Sequence, residues 1–132
     1  MALLNFKRKP ARQYEASEDL EYLLKGYSIE VMPRTAEKIS CFQKIFPKNT
    51  RVYIAHIDGT PFKDMIKTAR RISEEGYPVM PHFPARIIKD KKTLRDWILM
   101  YQSEAGVDQA LLLAGGVTKP HGEFENSKCN CR

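Results

Sequence analysis

Residues 51–76 read RVYIAHIDGTPFKDMIKTARRISEEG, and the period of their apolar positions changes once along the stretch. Residues 51–57 are rich in β-branched and aromatic side chains, which favours a strand. Asp58-Gly59-Thr60-Pro61 is turn chemistry that supplies Thr60 as a helix N-cap and Pro61 at the first helical position. Beyond it Phe62, Met65, Ile66, Ala69 and Ile72 recur at helical spacing, and Gly76 stops the run. Strand, tight turn and amphipathic helix together make one β/α unit.

The same grammar extends in both directions. Upstream, residues 27–32 predict a strand with Ile29 and Val31 on one face and Ser28, Glu30 and Met32 on the other, ended by Pro33. Thr35 is placed to cap a helix running to about residue 46, with Ile39, Phe42 and Ile45 or Phe46 on its apolar side, closed by Pro47. Before these, residues 15–25 predict a short helix carrying Leu20, Leu23 and Leu24 on one face, with Gly26 as its left-handed cap. Downstream, residues 77–83 form a third strand despite Pro78, Pro81 and Pro84, which remove ladder donors. Asp90 then caps a helix marked by Leu94, Trp97, Ile98 and Tyr101 and stopped at Gly106. Residues 109–114 are the fourth strand, and the unbroken apolar run 110–114 predicts one covered on both faces.

The order is a leading helix and then β-α-β-α-β-α-β, an α/β fold with right-handed crossovers. Strand starts near 27, 51, 77 and 109 have the spacing of barrel units. A complete eight-unit barrel takes about 250 residues, so these 132 residues are read as the first half, about four strands, of a TIM-type (β/α)8 barrel. The competing architecture is an open doubly wound sheet, whose helices divide between both faces and whose strand order reverses at a switch point. In a half-barrel the strands run 1-2-3-4 with helices on one face. The first and fourth strands are then unpaired edges, which predicts self-association.

Composition narrows the class further. With 42% hydrophobic and 10% aromatic residues the chain is ordinary globular material. No window approaches the roughly 20 apolar residues of a membrane span. Four of the 22 Lys and Arg, namely Lys7, Arg8, Lys9 and Arg12, fall in the acid-free first 14 residues, leaving 18 bases against 16 acids elsewhere. The basic balance therefore belongs to a flexible arm (1–14) and not to a folded nucleic-acid face. Residues 15–127 are expected as one domain and 128–132 as an unstructured tail. Cys41, Cys129 and Cys131 are an odd, sparse set that fits a reducing compartment, read as cytoplasmic, and Cys129 and Cys131 alone are half of a zinc site at best.

Active sites of α/β folds lie at the carboxyl ends of the strands. There, Glu30 has apolar neighbours that would strip its carboxylate of water and raise its pKa, as a proton donor requires. Alternatively, it points to solvent on an edge strand or pairs with Arg34. His56 and His82 end strands two and three, where a lone histidine is commonly a structural donor. The loop Ala114-Gly115-Gly116 after strand four lets backbone approach a ligand closely.

Three segments carry a family resemblance. Ser28-Ile29-Glu30-Val31-Met32-Pro33-Arg34-Thr35 resembles the first strand of the methylenetetrahydrofolate reductase family, with one proline where the family usually has two. Pro81-His82-Phe83 is similar to the family's Pro-His-Leu, and Leu112-Leu113-Ala114-Gly115-Gly116 with Pro120, Gly122 and Phe124 resembles the strand-four loop of a divergent branch. The resemblance spans residues 27–127. It implies a flavin-dependent (β/α)8 barrel that reduces 5,10-methylenetetrahydrofolate to 5-methyltetrahydrofolate with FAD and NADH or NADPH. By the same resemblance Glu30 is the catalytic acid, and His82, Ala55 and the Ala114, Gly115 and Gly116 loop line the cofactor pocket. Ala55 stands where many members have Thr, and Gly116 where the family has an Asp that tunes the flavin. Likeness breaks after Ser127, which implies a truncated or inactive form. The alternative is a non-catalytic α/β module that binds a phosphate-bearing ligand or a partner chain.

Overall fold

The computed structural model describes residues 18–127; the arm, the tail and residues 15–17 of the leading helix lie outside them. The described elements are α1 (Glu18–Leu24), β1 (Ser28–Val31), α2 (Pro33–Ala36), β2 (Arg51–Ile54), α3 (Phe62–Glu74), β3 (Val79–Pro84), α4 (Lys91–Ala105) and β4 (Leu111–Leu113). Short 3-10 turns occupy Phe42–Lys44 and Ala85–Ile87. The chain is α/β. Its sheet has four strands in the order β1-β2-β3-β4, every adjacent pair parallel.

Register explains which residues meet. Ile29 pairs with Val52 and Val31 with Ile54, while Val52 lies beside Val79, Ile54 beside Pro81 and Phe83 beside Leu112. Side chains of this parity, Leu112 excepted, feed the core with Met65, Ile66, Ala69 and Ile72 of α3 and Tyr101 and Ala105 of α4. α3 packs on both β2 and β3 and touches α2 on one side and α4 on the other. Met65, Ile66 and Ile72 each contribute roughly 1.5–3 kcal/mol by leaving water. The opposite parity, Glu30, Tyr53, Met80 and His82, forms the other face of the sheet, where register places Glu30 beside Tyr53.

Local capping matches the sequence reading at α4. Asp90 Oδ1 accepts from Thr93 N at 2.7 Å, and Gly106 closes the helix with φ 61°. Three expectations need correction. The helix predicted from Thr35 to about residue 46 is broken into α2 and a 3-10 turn. Pro33 opens α2 at its first position, and Thr35 Oγ1 accepts from Met32 N three residues back in place of capping a helix of its own. Tertiary hydrogen bonds replace the missing helical ones, because Arg71 of α3 donates to Ala36 O and Ile39 O and Glu75 Oε2 accepts from Phe42 N at 2.6 Å. Second, the cap of α3 is Pro61 and not Thr60. Third, β4 is not covered on both faces, since Leu111 and Leu112 are 39% and 62% exposed at the sheet edge. The leading helix is present as α1, with Leu20, Leu23 and Leu24 exposed on it.

Among the described residues no helix is long and apolar enough to cross a membrane.

Candidate functional site

The carboxyl ends of the strands surround a cleft of about 490 Å³. β1 contributes Glu30, the residues after β2 contribute Ala55, His56, Ile57 and Asp58, β3 contributes His82 and Pro84, and the loop beyond β4 contributes Gly115, Gly116 and Val117. The structure thus brings Glu30, Ala55, His82, Gly115 and Gly116 to one place. Ala114 is adjacent but does not line the cleft; its carbonyl accepts from Arg86 N at 3.0 Å. A comparably large depression of about 560 Å³ lies at the opposite, amino-terminal ends of the strands, around Lys25, Lys48 and Arg51. It contains none of the candidate site residues Glu30, Ala55, His56, His82, Ala114, Gly115 and Gly116.

Glu30 and His82 sit two strands apart on the same sheet face, and Glu30 Oε2 lies 3.3 Å from His82 Nε2. The two side chains differ in exposure, 60% for Glu30 and 12% for His82. Glu30 therefore keeps most of its hydration, contrary to the expectation drawn from its apolar neighbours, because β1 is an edge strand open to water. Its near neighbour is His82 and not Arg34. The close approach is not aligned as a hydrogen bond, so His82 Nε2 is buried without a hydrogen-bond partner in the described chain. The Tyr53 ring stands edge-on to the imidazole at 6.2 Å. Burial pushes the His82 pKa below 6.5, and the Glu30 carboxylate opposes that shift.

His56 has another character. It is buried, its ring lies 4.8 Å from Trp97 and 6.3 Å from Phe62, and Nε2 approaches Thr60 O at 3.3 Å. Burial holds its pKa below 6.5 as well. Its Nδ1 lacks a partner, but its ring packs against the helix layer, so it is mainly a packing residue at the back of the cleft.

Two elements of the site were missed in the sequence reading. Asp58 Oδ2 lies 3.4 Å from His121 Nε2, tying the β2–α3 loop to the segment after β4 across the cleft rim. Arg86 organises that segment: besides Ala114, its backbone oxygen accepts from His121 N, and its guanidinium donates to Val117 O and Glu125 O. No local signal marks either, since each joins residues far apart in sequence. Gly115 has φ 94° and packs so closely that a Cβ would meet Pro84 Cβ at 3.1 Å, whereas a Cβ at Gly116 would meet nothing. The described residues contain no group of three or more His, Cys, Asp or Glu able to hold a metal ion.

No model of a known protein family matches this chain.

Proposed function

We propose that the described residues are the first half of a TIM-type (β/α)8 barrel, and that the cleft is part of a flavin site of the methylenetetrahydrofolate reductase type. Consecutive parallel strands, with α2, α3 and α4 packed side by side against one parity of side chains, support the barrel over a doubly wound sheet. The observation that carries the functional reading is the convergence of Glu30 and His82, 3.3 Å apart, on a cleft whose other walls include the small residues Ala55, Gly115 and Gly116. Small residues leave room for a flat aromatic ring, and His82 Nε2, which makes no hydrogen bond among the described residues, supplies a polar atom to meet its edge. The residues present therefore fit FAD.

When bound, reduced FAD supplies a hydride for folate reduction, with NADH or NADPH as the electron source. Glu30, at the cleft and reached by solvent, is the group that would pass a proton from water to the folate nitrogen. Its partner His82, kept neutral above pH 6.5 by burial, can orient a ring edge without adding charge. Gly116 carries no charge to tune the flavin.

The test is titration of the purified chain with FAD, followed by quenching of flavin fluorescence. Saturable binding is expected, and His82→Ala should weaken it about tenfold. Protein that leaves FAD fluorescence unchanged at saturating concentrations overturns the reading and favours the non-catalytic module.

A further inference from the structure

The depression at the amino-terminal ends of the strands differs in chemistry from the cleft at their carboxyl ends. The turn between α1 and β1 supplies Leu24, Lys25, Tyr27 and Ser28 to its walls, and the turn before β2 supplies Lys48, Asn49 and Arg51. Its lining holds three bases and no acid. The carboxyl-end cleft instead sets Glu30 and Asp58 beside its histidines.

Several bases on the helices are neutralised within the fold: Lys67 stands by Glu37, Arg70 by Glu104, Arg71 by Glu75 and Lys92 by Asp96. Lys25, Lys48 and Arg51 form no ion pair with a described residue, Glu21 four residues before Lys25 included. Like charges gathered in one concavity repel each other, and a cleft lined by one sign focuses its field on whatever enters. The turn that carries Lys48 and leads to Arg51 is held in place. Thr50 is buried there, with its N and Oγ1 donating to Pro47 O at 3.3 and 2.9 Å, and Asn49 takes a left-handed backbone with φ 67°. On the other wall Leu24 and Tyr27 keep apolar surface exposed, 50% and 36%. The volume of about 560 Å³ falls among the roughly 300–1,000 Å³ of small-molecule sites.

We propose that this depression binds a small phosphate-bearing metabolite, its phosphate held by Lys25, Lys48 and Arg51 and its aromatic or apolar body lying against Leu24 and Tyr27. A phosphate brings close to two negative charges and three terminal oxygens to three cations, which a carboxylate does not. A nucleic-acid strand needs bases along a track, whereas beyond the first 14 residues the chain has 18 bases against 16 acids. The proposal is independent of the flavin reading, because no residue lines both clefts.

The test is titration of the isotope-labelled whole chain with adenosine 5′-monophosphate, inorganic phosphate and adenosine, followed by backbone amide shifts. The monophosphate should saturate with a dissociation constant below about 1 mM and move residues 24–28 and 47–51. Inorganic phosphate should move the same residues more weakly, and adenosine should not bind. Lys48→Gln and Arg51→Gln, both at exposed positions, should each weaken the monophosphate about tenfold with the rest of the spectrum unchanged. Lys91→Gln, which removes one exposed base at the start of α4, should leave affinity as it was. No saturation by about 10 mM, adenosine binding as well as its monophosphate, or equal weakening by Lys91→Gln overturns the proposal. Shifts centred on Glu30, His82 and Gly115 in place of residues 47–51 also overturn it, and they would assign the phosphate to the other cleft. A single-stranded RNA that saturates residues 47–51 at about 1 µM, far below the monophosphate, overturns it in favour of a nucleic-acid surface.

Discussion

Replacing Arg71 with Met should destabilise the protein by about 3–4 kcal/mol, and the structure supplies the contributions. The guanidinium donates to Ala36 O at 3.0 Å and to Ile39 O, pairs with Glu75 Oε1 at 3.1 Å, and lies 5.6 Å over the Phe42 ring. Hydrogen bonds from a charged donor are worth about 1.5–3 kcal/mol each when buried. The Arg71 side chain is 34% exposed, so water can rehydrate part of what is lost and the low end applies to both carbonyls. The ion pair, with Glu75 at 19% exposure, adds at most about 1 kcal/mol. Methionine retains much of the apolar stem, which keeps the sum from rising further. Urea unfolding of Arg71→Met against the unmodified chain, at equal m-value, reads the difference directly. Hydrogen exchange should show the loss concentrated in residues 36–46, where Glu75 still accepts from Phe42 N. The double variant with Glu75→Gln should be less than additive by roughly 1 kcal/mol, because the two side chains share one network. A change below about 0.5 kcal/mol would refute the claim that α3 side chains hold the segment between β1 and β2.

Further outcomes follow from the site and its supports. Stability should rise with pH up to about 6.5 and then level off: the His56 and His82 pKa values are lowered in the fold, so the unfolded chain binds protons that the folded chain refuses. Thermal melts at stepped pH check this, and a stability that fell across that window would contradict it. Glu30→Gln removes the carboxylate that raises the His82 pKa, so the imidazole should titrate still lower in an NMR pH series. Gly122→Ala cannot keep its present position, since a Cβ would fall 1.7 Å from Lys89 O; the segment should undock and cleavage after Glu123 by a glutamate-specific protease should accelerate. By contrast Gly116→Ala should be silent, while Gly115→Ala should cost about 1–2 kcal/mol in urea unfolding for its left-handed backbone and its contact with Pro84. Asp90→Ala should lower the melting temperature by removing the acceptor for Thr93 N, and the native protein should lose the same support as pH falls below the ordinary carboxylate range, because that hydrogen bond lowers the Asp90 pKa.

Much of the architecture could be read from local signals because their physics is local. Asp90 and Gly106 delimit α4 through backbone groups within one turn, and the stripe Met65, Ile66, Ala69 and Ile72 declares the buried side of α3 by spacing alone. Alternation at Ile29 and Val31 likewise told which face of β1 enters the core and that Glu30 lies on the other. Parallel pairing followed from β/α alternation, whereas the consecutive order β1-β2-β3-β4, against one that reverses at a switch point, was decided by the sheet itself. Residues that act across the chain were not legible. Nothing near Thr35 announces that Arg71 and Glu75 will take over the backbone groups of a helix that its own sequence favours. The apolar run of β4 reads as a doubly covered strand, yet coverage depends on a neighbour, and the described sheet ends there. The 3.3 Å approach of Glu30 to His82, the burial of one and the exposure of the other, and the Asp58–His121 tie are likewise products of register and edge position. Periodicity and capping are properties of a few consecutive residues, whereas dehydration and partnership are set by what the completed fold brings alongside.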